Sequence, residues 1–193
     1  MRTQRRAPRL APTFLISALL AGALPGFSGA EEPRVSGVAL AFVGRELRVE
    51  ARLSPGLPEE VRQRCGSGLP TTAAWEVRLY GHREVWWDGL KDERVYEVTA
   101  AYRPVSSDWV VERRLDGKLL ETRTVPTLDE AVAALSAVRE LPVFIMGNHL
   151  LGKSLQLRVR CTYGDRLVLG VIPGRVATPW ERSEIFGWAG EKP

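Results

Sequence analysis

Histidine and cysteine are scarce in this 193-residue chain, with two of each. His82 and His149 lie 67 residues apart, and neither sits in a His-x-x-x-His or Cys-x-x-Cys spacing, so no metal is expected. A Gly-x-Ser-x-Gly nucleophile elbow is absent as well. The acids Glu59-Glu60, Asp88, Asp92-Glu93, Glu181 and Glu184 fall in polar segments, and no helical spacing forces two of them into one buried site. With no convergent catalytic set, the chain is not expected to be an enzyme, and no cofactor is implied. Blocks of five or six like charges are missing. Beyond residue 30 nothing approaches the run of about 20 apolar residues that a spanning helix needs.

One nucleotide motif does match by its letters. Gly147-x-x-x-x-Gly152-Lys153-Ser154 has the spacing of a phosphate loop. Such a loop must follow a buried parallel strand and open a helix. Here only the short stretch Val143 to Met146 precedes it, and an alternating strand follows, so no nucleotide site is expected.

What is present begins with the first 30 residues. Arg2, Arg5, Arg6 and Arg9 form a positive leader, Phe14 to Leu24 is an apolar run of 11 residues, and Ser28-Gly29-Ala30 supplies the small residues of a cleavage site. This pattern predicts a signal peptide over residues 1–30, cleavage near Ala30 and a periplasmic or otherwise exported product. The alternative is a leader that stays uncleaved and anchors the protein in a membrane. The leader also carries the charge: the whole chain has 27 Lys+Arg against 23 Asp+Glu, and without those four arginines its formal charge is zero. The basic character of the full chain is therefore no sign of a nucleic-acid partner.

Residues 31–193 suit one domain with one core. Leu47, Val49, Ala51 and Leu53 alternate with polar residues, and Gly44-Arg45 joins them to the apolar stretch Val38 to Val43 as a hairpin. Trp75, Val77 and Leu79 form another inward set, followed by Tyr96, Val98, Ala100 and Tyr102. Trp109, Val111 and Leu115 come next, and Asp116-Gly117 marks a tight turn. Leu155, Leu157, Val159, Cys161 and Tyr163 alternate without a break.

Two helices are expected. Thr127-Leu128-Asp129-Glu130 has the form of a capping box. It opens a helix on which Leu128, Ala131, Val132, Leu135 and Val138 share one face, and Pro142 stops it near Glu140. A shorter helix follows Pro58, with Leu57, Val61 and Cys65 four residues apart. The predicted fold is mainly β, an antiparallel β-sandwich with one or two packed helices. A single antiparallel sheet covered by both helices (α+β) is the alternative.

Two features are candidate sites. Cys65 and Cys161 both face inward, and in an oxidising compartment they can pair. A bridge over about 95 residues contributes roughly 4 to 5 kcal/mol in the entropic account. Two separate buried thiols are the other reading. Trp86-Trp87 place adjacent indoles on opposite faces of a strand, which offers one of them as a recognition surface. The alternative has one in the core and one over a sheet edge.

Several segments together resemble the bacterial domain-of-unknown-function family 4390. They are Trp86-Trp87, Arg94-x-Tyr96, Trp109-Val110-Val111, the helix opening Val125-Pro126-Thr127-Leu128-Asp129-Glu130-Ala131, Leu141-Pro142, and Thr178-Pro179-Trp180-Glu181. The resemblance spans roughly residues 35 to 188. It implies an exported envelope protein and transfers no activity, ligand or site residue. Cys65 and Cys161 are not part of its pattern. The expectation is a non-enzymatic protein-interaction or accessory module whose partner is an envelope or membrane protein. A periplasmic binder of a small apolar or lipid ligand is the alternative.

Overall fold

Alternation of apolar and polar residues at a period of two dictates most of the architecture. The structure is a computed structural model that describes residues 31–82, 88–168 and 172–190. In chain order the elements are β1 (Arg34–Val43), β2 (Glu46–Ser54), α1 (Glu59–Gly66), β3 (Thr71–Gly81), β4 (Gly89–Arg103), β5 (Asp108–Leu115) and β6 (Lys118–Val125). There follow α2 (Leu128–Leu135), β7 (Ala137–Ile145), a single 3-10 turn (Asn148–Leu150), β8 (Ser154–Val168), β9 (Ile172–Ala177), β10 (Glu181–Arg182) and β11 (Phe186–Gly187). The strands form two antiparallel sheets. One runs β1-β2-β7, and the other runs β10-β8-β3-β4-β5-β6, with β9 and β11 also paired to β8.

The fold is mainly β and sandwich-like, and the single-sheet alternative is not formed. The larger sheet is one layer. The second layer is composite: β1 packs across β8 and β10, while α2 covers β4 and β5 and α1 packs against α2, β3 and β4. A three-stranded sheet is too narrow to cover the larger one, so the helices cover the part it leaves bare. Leu47, Val49, Ala51 and Leu53 of β2 meet Trp75, Val77 and Leu79 of β3 and Leu155, Leu157 and Val159 of β8 in a single buried core. Trp75 is fully buried, and its indole N–H donates to the Leu135 carbonyl at 3.3 Å, which ties α2 to the sheet.

Turns follow from local chemistry. Asp116 and Gly117 both have positive φ (48° and 78°), the backbone that a two-residue hairpin loop demands. Thr127 caps α2, its Oγ1 accepting from the Glu130 N–H at 3.3 Å. The helix is shorter than its apolar spacing predicts. It ends at Leu135, where the Ser136 hydroxyl donates to the Val132 carbonyl at 2.7 Å, and Val138 belongs to β7 instead. Pro142 is not a helix stop: it sits within β7, an edge strand of the smaller sheet, where a missing N–H is tolerated.

The β4–β5 hairpin is fastened at its tip by Arg103, whose Nε and Nη2 donate to Asp108 at 2.8 and 2.9 Å. The Arg103 guanidinium, seconded by the Ser106 hydroxyl, holds the Asp108 carboxyl below the usual carboxylate range. A depressed folded value means that the clasp is complete above the ordinary aspartate range and opens as pH falls through the lowered one. Carboxylate titration by NMR should therefore place Asp108 below the exposed aspartates, and Arg103→Gln should raise it toward the ordinary range. An ordinary midpoint in the unsubstituted protein would contradict the clasp.

Candidate functional site

The inward side of β5 breaks its own pattern. Trp109, Val111, Arg113 and Leu115 share that side, and on β6 Arg123 stands with Val125, opposite Val111. These arginines stay accessible because α2 packs over β4 and β5 and leaves β6 open. The result is a groove of about 470 Å³ between α2 and the β5–β6 ribbon. Tyr96, Val111 and Val125 form its floor, and Ala133, Ala134 and Ala137 its wall. Arg113, Arg123, Arg139 and Glu130 complete the lining.

The charges of the groove are unevenly satisfied. Arg113 Nη1 donates to Glu121 Oε2 at 2.6 Å. The guanidinium groups of Arg123 and Arg139 have no hydrogen-bond or ion-pair partner among the described residues. Burial pushes the Tyr96 phenol above its usual range, against the pull of the Arg113 charge. The Tyr96 ring stays neutral in the groove floor at any ordinary pH. The arrangement offers no nucleophile beside a base, but it presents unpaired cations at the border of an apolar surface.

A second charged cluster lies on the outer face of the larger sheet, and it is internally matched. Arg160 donates through Nε and Nη2 to Glu76 at 2.9 and 2.8 Å, and Arg158 donates to Asp88 at 2.5 Å. His82 Nδ1 stands 3.2 Å from the same Asp88. The Trp180 ring lies against Arg78 at 4.7 Å and Arg160 at 4.5 Å, and Tyr80 lies under Arg158 at 4.2 Å. This lattice fastens the C-terminal segment to β8. Thr178 and Ser183 strengthen the seam, their hydroxyls accepting from the Cys161 and Leu157 amides at 3.0 Å each.

The bridge allowed between Cys65 and Cys161 is not formed, and both are buried free thiols. Cys65, on α1, lies beside Thr71, whereas Cys161 is opposite Trp75. Those two β3 positions are four residues apart, about 13 Å along a strand, beyond the reach of about 7 Å between the Cα atoms of a bridge. Burial raises both thiols above their usual range, strongly for Cys161, which keeps them protonated and unreactive. A maleimide should label neither cysteine in the folded protein and both after unfolding without reductant. No labelling after unfolding would mean a bridge.

Other sequence candidates disperse. Trp86 and Trp87 lie outside the described residues. His149 is exposed in the 3-10 turn, far in sequence from His82 on the opposite sheet's outer cluster. Among the described residues no group of three or more His, Cys, Asp or Glu side chains could hold a metal ion. The Gly147–Ser154 segment runs from β7 through a single 3-10 turn into β8, with no α-helix at Lys153. Glu59, Glu60, Glu181 and Glu184 are exposed.

These features define a helix-backed antiparallel sandwich with a cationic groove and a matched charge lattice. The chain belongs to the family described as Domain of unknown function (DUF4390), whose model matches residues 30–165. That match includes the groove and stops within β8, so the Thr178-Pro179-Trp180-Glu181 segment lies beyond it. No curated protein and no solved structure matches the chain.

Proposed function

We propose that the domain is an exported, non-enzymatic interaction module of the bacterial envelope. It takes an extended segment of an envelope or membrane protein onto the open edge of β6. The observation that carries the reading is the state of that strand. β6 ends the larger sheet, no described strand pairs with its outer side, and seven of its eight residues are exposed. Leu119 and Leu120 stand 55% and 51% exposed there. An unpaired edge adds strands readily, and Lys118, Glu121 and Arg123 limit it to segments of matching charge. Export is supported by the arginine leader, apolar run and small-residue site of residues 1–30.

Cross-linking in the native envelope, followed by purification through a tag after Pro193, tests this. The expected result is a reproducible partner that is lost from the Leu119→Lys/Leu120→Lys variant. No partner, or the same partner with that variant, would overturn the reading. A second reading, a binder of a small apolar or lipid ligand, draws support from the groove between α2 and the β5–β6 ribbon.

A further inference from the structure

We infer that this groove binds a fatty acid, its chain on the apolar floor and its carboxylate on Arg123 and Arg139. The inference rests on the ligand-binding reading and adds a head-group chemistry to it. A cavity of about 470 Å³ falls in the range of small-ligand sites. With Arg113 taken up by Glu121, the surface between the Ala133, Ala134 and Ala137 wall and the Tyr96, Val111 and Val125 floor is uncharged, so the part of the ligand lying there is apolar. The Tyr96 hydroxyl has no hydrogen-bond partner among the described residues.

Position 113 is where the strand pattern of β5 calls for an apolar residue, and Arg123 lies opposite Val111 on the neighbouring strand. A charge on the core-facing side of a strand breaks local consistency, and such breaks concentrate at functional sites. Arg113 is occupied by Glu121, which leaves Arg123 and Arg139 as the cations without a described partner. A guanidinium fork matches a carboxylate by two parallel hydrogen bonds. Glu130 on the rim opposes a second negative charge, which favours a singly charged head over a multiply charged one. A quaternary-ammonium head is excluded by the same arginines.

The groove and the β6 edge are separable by experiment, since the Leu119→Lys/Leu120→Lys variant leaves the arginines in place. Protein purified from cells expressing the full chain is titrated calorimetrically with decanoate, decanol, acetate and decyltrimethylammonium. Decanoate should bind at one site per chain and weaken tenfold or more in the Arg123→Gln/Arg139→Gln variant. Both arginines are exposed, so that variant should fold normally by circular dichroism. Acetate and decyltrimethylammonium should not bind. Ala133→Trp, which fills the wall side, should block decanoate. Binding of decanol as tight as decanoate, or decanoate binding unchanged in the double variant, would overturn the head-group assignment while sparing an apolar site. Binding of neither decanoate nor decanol would remove both the inference and the ligand-binding reading.

Discussion

Replacing Trp75 by alanine is expected to lower the unfolding free energy by about 3–5 kcal/mol. Trp75 is fully buried on β3, flanked by Tyr96 on β4 and Cys161 on β8. Its indole N–H reaches across to the last residue of α2. Truncation removes the contacts of the largest fully buried side chain and leaves a cavity that rigid strands on both sides cannot collapse. Trp75→Phe separates the two contributions, because it keeps an aromatic ring and leaves the Leu135 carbonyl without its donor. That hydrogen bond is worth about 1 kcal/mol, so the phenylalanine variant should lie well above the alanine variant. Urea unfolding of both variants measures the difference. Equal losses would mean that the N–H to Leu135, and not ring volume, is what Trp75 supplies.

Trp188→Ala should be nearly as damaging, at about 3 kcal/mol or more, and its damage should begin locally. Trp188 is buried in the core although the segment that carries it is largely irregular. Its carbonyl accepts from Gly152 N–H at 3.1 Å, and the neighbouring Phe186 ring meets Phe42 edge-on at 6.0 Å. Segments with little regular structure open locally unless side chains hold them, and β10 and β11 are two residues long each. Loss of the Trp188 anchor should therefore make residues beyond Thr178 susceptible to limited proteolysis before global unfolding. A variant that loses stability with no gain in tail cleavage would show that the indole serves the core alone.

Much of the fold is readable from alternation because each strand buries one face. β2, β3 and β8 carry unbroken inward sets, and the structure buries Leu47, Val49, Ala51, Leu53, Trp75, Val77, Leu79, Leu155, Leu157, Val159 and Cys161 as that pattern requires. Bulges are what hide the rest. In β7 Val138 and Leu141 face the same side as Ala51 and Val49, because Arg139-Glu140 form a bulge with Glu140 at φ 44°. A bulge turns a period of two into a spacing of three, which is indistinguishable from a helix turn in the sequence. That is why α2 reads too long. Gly37, at φ 63°, does the same between Val35 and Val38 in β1.

The groove is not among the candidate sites read from the sequence, although one signal of it is there. Arg113 falls within the inward set of β5, and a charge at such a position is a visible departure from the strand pattern. Arg139 was concealed by the bulge, which disguised its strand as helix. The third element of the groove, α2 stopping short of β6, depends on how α2 packs over β4 and β5, and no local pattern reports that.

The most direct test of the module is a photo-activated cross-linking amino acid placed at Leu120 in β6 and, separately, at Glu50 in β2, in living cells. Both positions are exposed, but β6 ends its sheet with no described strand beside it, whereas β2 lies between β1 and β7. The account predicts one discrete adduct from position 120 and none of that mass from position 50. No adduct at 120, or the same adduct at both positions, would contradict it.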